Sequence, residues 1–361
     1  MMFLPRDKSG VWKNTSLGDS WWLWKTKQSS QLGGEKMKCF YPFYRDNKCG
    51  FIDNLGNEIV PPMYEYGTHS TEGFAVVRQN GVYGFINSNN DIVVPFCHKD
   101  VNNVRDEAFF SWGKGFFNLD NNCFFECKEE NIITSGFHDN YACITRLSRM
   151  KIGRQVSAPT CGLISRKGDW IIAPQQEYCF NQEVCQGLLA TSMRLENGTM
   201  LSGFLNTYGE IAIPFIFAEA RSFSENLAPV REATYNGKCG YIDLKGDYVI
   251  KPKYNDVWEF SEGLAAVAIT RKSVKIGFIN KEGEFVIPPQ FNMAGKFHAN
   301  CAPVLDGRNH KYGLINTKGE FMLEPCFSKI EYCSADIYRV VDNQKKLYYI
   351  NSLGNWIYKA D

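Results

Sequence analysis

Gly240-Tyr241-Ile242-Asp243-Leu244-Lys245-Gly246-Asp247-Tyr248-Val249-Ile250-Lys251-Pro252 is a phrase that the chain repeats, loosely spelled, along most of its length. Its opening glycine returns as Gly50, Gly84, Gly115, Gly162, Gly203, Gly277 and Gly313, with Tyr348 in a ninth copy. Six residues on stand Gly56, Asn90, Asn121, Gly168, Gly209, Gly246, Gly283, Gly319 and Gly354. Gly and Asn accept a left-handed backbone at least cost. Three residues before that point is Asp53, Asn87, Asn118, Ser165, Asn206, Asp243, Asn280, Asn316 or Asn351. These side chains close turns by accepting a nearby backbone N–H. Such a turn between short β-rich runs predicts a tight hairpin in every copy. Pro61, Pro95, Pro174, Pro214, Pro252, Pro288 and Pro325 follow and are expected to end the strand or mark a sheet edge.

An apolar strand precedes each hairpin, as in Asn226-Leu227-Ala228-Pro229-Val230 and Gly263-Leu264-Ala265-Ala266-Val267. Phe223-Ser224-Glu225 and Phe260-Ser261-Glu262 stand just before it. Successive opening positions are 34, 31, 47, 41, 37, 37, 36 and 35 residues apart, which marks a repeat architecture. The fold is therefore all-β, with about nine tandem hairpin units. Units of this size suit the blades of a β-propeller, and an open, solenoid-like array of hairpins is the alternative. The last unit stops after its hairpin, so it is expected to need an outer strand from elsewhere.

The repeat domain spans 41–361. Residues 1–40 break the pattern and hold Trp12, Trp21, Trp22 and Trp24, four of the eight tryptophans. They read as a cap or closing strand for the array, since four free indoles would promote aggregation.

Tandem units of an apolar strand, a Gly-aromatic-Ile-Asx-x-x-Gly hairpin and a β-run ending in proline resemble the WG (also KWG) repeat family. The resemblance covers about 41–361. No copy carries tryptophan before its opening glycine, where this chain has Cys, Tyr, Lys, Ser, Ile or Leu. The resemblance implies a repeat scaffold, common in bacterial proteins, and implies no chemistry.

Composition narrows the function further. Forty basic and 39 acidic residues leave no global field for nucleic acid or an anionic membrane. No apolar run approaches the roughly 20 residues of a membrane span. The first residues lack the layout of a secretory signal. Thirteen scattered cysteines read as free thiols in a reducing compartment, the cytoplasm. Cys49, Cys161 and Cys239 share one repeat slot, as small buried hydrophobes would. Cys123 and Cys127 lack a second pair, so no metal site is expected. His138 and His298 occupy the position of Ser224 and Ser261, which makes them repeat residues. No catalytic motif and no cofactor signature is present.

The remaining function is binding. Loops between the apolar strand and the hairpin vary in length, and variable loops on a rigid scaffold are where recognition sits. A protein or peptide partner is the first expectation, with self-assembly or glycan binding behind it. The longest loop, 146–160, carries Arg146, Arg149, Lys151 and Arg154 and no acid, and is the candidate contact for an acidic or phosphorylated partner. Gly56, Gly168, Gly209, Gly246, Gly283 and Gly319 are expected to be structural turn residues.

Overall fold

The structure, a computed structural model, describes residues 38–129, 132–147, 150–151, 154–155, 159–270, 275–307 and 310–359. Residues 1–37, and with them the role expected of the tryptophan-rich segment, lie outside the described residues. Arg149 does too.

The described residues from 39 onward form nine consecutive antiparallel blades and no helix. A full blade has a short inner strand, an apolar second strand, and a hairpin giving the third and outermost strands. Blade seven shows the plan with Asp256–Val257, Ala265–Ala268, Ile276–Ile279 and Phe285–Phe291, hydrogen-bonded in that order. Between blades five and six the chain does not break: Ile211–Ala220 is both the outer strand of one and the inner strand of the next. In blade three the inner strand shrinks to a bridge between Val101 and Ser111.

φ is positive at all nine turn positions, for example +93° at Gly246 and 66° at Asn90. The Asp243 carboxylate accepts the N–H groups of Lys245 and Asp247 at 2.9 and 3.0 Å, and Asn206 does the same for Tyr208 and Glu210.

The opening glycine has a reason that the repeat alone did not disclose. Opposite Gly277 the outer strand carries two extra residues, because Ile276 pairs with Phe291 while Phe278 pairs with Ile287. The bulge bends the Ile287 carbonyl over the glycine. A Cβ there would lie 2.6 Å from that oxygen. Pro288 sits in this bulge, and the strand runs on past it to Phe291. The prolines therefore do not end the strands, contrary to one half of the sequence expectation. They sit inside outermost strands, where the missing N–H leaves no ladder bond unmade and blunts an exposed edge.

Nine apolar clusters fill the nine junctions between blades. Phe278, Ile287 and Phe291 of blade seven, for instance, pack on Phe297, Ala302 and Val304 of blade eight. The decisive cluster joins the first and last blades: Tyr41, Phe43 and Ile52 of blade one pack on Ile337 and Tyr349 of blade nine. The array is thus a closed, propeller-like ring and not an open stack. Blade nine has four strands of its own, Lys329–Ser334, Ile337–Val341, Leu347–Asn351 and Trp356–Lys359. The expectation of a missing outer strand was wrong because the second arm of the hairpin is already the outermost strand. Besides the third, the blade with only three described strands is the first, Tyr41–Arg45, Lys48–Ile52 and Glu58–Tyr64.

Candidate binding face

The blades leave two unlike faces. One carries the hairpin turns and the tight turns between inner and second strands. The other carries the loops between second and third strands, which the sequence marks as variable.

The tight turns explain the acidic residue that follows Phe-Ser in the repeat. Glu72, Asp106, Asp139, Gln186, Glu225 and Glu262 all stand at positive φ, between 49° and 55°. Each reaches the next blade and accepts a backbone N–H of the equivalent turn. Glu72 takes Asp106 and Glu107 N–H at 2.8 and 3.1 Å, and Asp106 takes Asn140 N–H at 3.0 Å. Asp139, Gln186 and Glu225 continue to Gln186, Asn226 and Gly263, and Glu262 reaches Asn300 N–H at 2.7 Å. Six successive junctions are latched in this way. Five of the six are charge-assisted carboxylate bonds, about twice as strong as neutral ones, and the sixth, from Gln186, is a neutral amide bond. Sequence reading missed the role, although an acid or amide at one repeat position in six copies was its signal.

The histidines serve the same scaffold. His138 Nδ1 lies 2.7 Å from the Val184 carbonyl of the next blade, the bond that Ser224 Oγ makes to the Phe260 carbonyl at 2.7 Å. His298 stacks on Tyr332 with ring centroids 4.3 Å apart. His98 is fully buried, with Ser111 Oγ and Asn121 Oδ1 each 2.9 Å from its ring nitrogens. A serine beside a histidine invites a catalytic reading, yet no exposed surface reaches this pair. His98 instead fills the slot of Tyr64, whose hydroxyl bonds Asn90 of the following blade at 2.7 Å.

On the loop face, Arg146 ends the strand Tyr141–Arg146 and pairs with Glu129 at 3.0 Å. Beyond it the insertion forms a small hairpin, Met150–Lys151 with Arg154–Gln155, whose register pairs Lys151 with Arg154. Three of the four expected cations are therefore placed: one is neutralised by an acid, and two share one hairpin.

The loop of blade six is the most heavily braced. Arg221 and Arg231 both bond Glu219 and Asp256. They also bond the Val257 and Asn255 carbonyls of blade seven, at 2.9 and 3.0 Å. Burial works to raise the Glu219 carboxyl, and the two guanidinium groups more than reverse it, holding it below the usual range. Loop residues close onto this base, with Gly237 N–H on the Thr234 carbonyl at 3.0 Å and Lys238 N–H on Glu232. At the tip Tyr235 is 99% exposed. In blades eight and nine the equivalent loops touch, through a hydrogen bond from Lys311 Nζ to Asn343 Oδ1. Among the described residues no group of three or more His, Cys, Asp or Glu side chains is placed to hold a metal. All thirteen cysteines are free, and Cys49, Cys161 and Cys239 are buried.

Residues 50–83, 203–238, 240–271, 276–307 and 312–345 match the family of the WG containing repeat. No curated protein sequence matches the chain. Among solved structures it is similar to the crystal structure of the eukaryotic initiation factor, with 11% identity and a TM-score of 0.61 over 90% of this chain and 96% of that one. It is less similar to BamB from Moraxella catarrhalis, 10% identical with a TM-score of 0.43 over 72% and 84% of the two chains. For Hsv2 of Kluyveromyces lactis the values are 8%, 0.38, 59% and 71%. At such identities the likeness is one of fold, and of these three the initiation-factor structure carries it.

Proposed function

We propose that this chain, which belongs to the WG-repeat proteins, is a non-catalytic scaffold that holds a protein or peptide partner on its loop face. One observation carries the reading: variation is confined to that face. The hairpin turns keep one length and one geometry in all nine blades, while the loops range from a two-residue turn at Asp46 and Asn47 to the inserted hairpin. A scaffold with no partner has no reason to vary on one side only. The fully exposed Tyr235, at the tip of a loop whose base is held by hydrogen bonds and ion pairs, has the residue type of an interface anchor. The insertion supplies positive charge for an acidic or phosphorylated segment. Balanced net charge favours neither nucleic acid nor membrane as the partner, and the free thiols support a cytoplasmic setting.

The test starts with a partner captured by affinity purification and re-made as a pure component. Arg146, Arg149, Lys151 and Arg154 are then replaced together by Glu, and Tyr235 separately by Ala. The expected result is weaker binding in both. For the fourfold variant the loss falls mainly on the association rate and its salt dependence. Unchanged affinity and salt dependence in both variants, with folding intact, would remove the loop face from the reading.

A further inference from the structure

Three of the nine junctions lack the latch: Lys38 holds its position in blade one, where Phe40 and Ser70 bond each other instead, and the other two flank blade nine. Ala299 in blade eight and Ala335 in blade nine stand where the six latched turns have an acid or amide. Both keep the positive φ of the series, 49° and 58°. Neither has a side chain that can reach the next turn. Blade nine is therefore unlatched toward blade eight and toward blade one. The junction between blades nine and one differs in a second way, because it is the only neighbouring pair that no covalent connection crosses. Elsewhere a few residues tether each blade to the next, so a gap recloses at high effective concentration.

Phenol bonds, together with the Lys311–Asn343 bond between loops and the Cys301 thiol on the Ser352 carbonyl, hold blade nine in place. Tyr338 donates to the Cys301 carbonyl at 2.9 Å and to that of His298. Tyr349 donates to the Pro42 carbonyl at 2.8 Å, and Tyr41 to the Ser334 carbonyl at 3.1 Å.

We infer that blade nine, residues 329–359, is built to detach: the ring opens at its chain-end seam, and this blade swings away from both neighbours while the latched blades two to eight stay together. Local opening of this kind follows the least stabilised contacts. It would bare the apolar faces of Ile337, Tyr338 and Tyr349 to a partner or chaperone.

Two cysteines make matched reporters. Cys301 packs between blades eight and nine, and Cys239 between blades six and seven. They are 3% and 2% exposed. Each donates its thiol to a backbone carbonyl, of Ser352 and Asn255. Burial pushes each thiol up to about 11. The folded full chain is pulsed with a thiol-alkylating reagent, and labelling at each site is followed by peptide mass spectrometry. Cys301 should react at least tenfold faster than Cys239. Ala299→Glu restores a carboxylate at a φ that Glu262 already adopts, and should slow Cys301 several-fold without changing Cys239. Glu225→Ala, which unlatches blades six and seven, should instead speed Cys239. Equal rates at the two sites in the unaltered protein would overturn the inference. So would an Ala299→Glu protein that folds and labels as before. Should that variant fail to fold, the unaltered rates and Glu225→Ala decide the matter.

Discussion

The phenol of Tyr349 donates a 2.8 Å hydrogen bond to the carbonyl of Pro42, 307 residues earlier in the chain. In other blades the carbonyl at this repeat position takes an N–H from its own inner strand, as Pro303 does from Gly295 at 2.8 Å. In blade one a side chain from the opposite end of the chain provides the donor. Pro42 has no N–H to satisfy, and the Phe40 N–H and carbonyl are both bonded by Ser70. The two termini of the repeat domain are thus joined by atoms that belong to neither ladder.

Removing that donor should loosen the closure. Tyr349→Phe keeps the ring packing against Tyr41 and leaves the Pro42 carbonyl bare. The expected cost is about 1–3 kcal/mol, the penalty of an unpaired buried acceptor. A thermal scan should show melting lowered by several degrees. Melting unchanged within error would show that the bond contributes nothing to closure.

The two kinds of repeat glycine should fail for different reasons. Gly283→Val forces a β-branched residue to φ of +81°, at a cost on the order of 1–3 kcal/mol. Gly277→Ala keeps an ordinary φ but drives its Cβ onto the Ile287 carbonyl, so the bulge must move. Both proteins should melt lower than the parent, by calorimetry or circular dichroism. A neutral Gly277→Ala would mean that the outer strand yields freely and the bulge is not the reason for the glycine.

Acid should weaken the fold earlier than its carboxylates alone would. Burial holds His98, His69 and His298 below the ordinary value of 6.5. Below that pH the unfolded chain binds protons that the folded chain resists, so stability is complete above about pH 6.5 and declines as pH falls beneath it. Depressed carboxyls such as Asp53 and Glu219 act only at lower pH. Urea midpoints at pH 7.5 and 5.5 should differ, and His98→Gln, which can still hydrogen-bond, should shrink the difference. A flat profile across that window would contradict the neutral, buried state of His98.

The thiols should count out in full. Denatured protein, never exposed to reductant, is expected to react with close to thirteen equivalents of a thiol reagent. Several protected equivalents would point to disulfides and away from a reducing compartment.

The repeat, the hairpins and the unit count could be read from the chain by itself. A left-handed turn residue and its capping side chain are local demands, satisfied within Asp243 to Asp247, and each copy spells them anew. Tertiary structure decided what two distant segments must do together. Closure depends on Tyr41 meeting Tyr349, which no spacing announces. Gly277 looks like another flexible turn residue until the bulge carrying Ile287 is seen lying over it. Glu225 looks like a solvated charge until it is found on the amide of Gly263, a blade away. On the loop face the chain showed which loops vary, but the network below the Tyr235 loop, with Arg221 and Arg231 on Glu219 and Asp256, needed blades six and seven side by side. Local backbone geometry repeats with the sequence, while contacts between units depend on curvature, and curvature is a property of the whole ring.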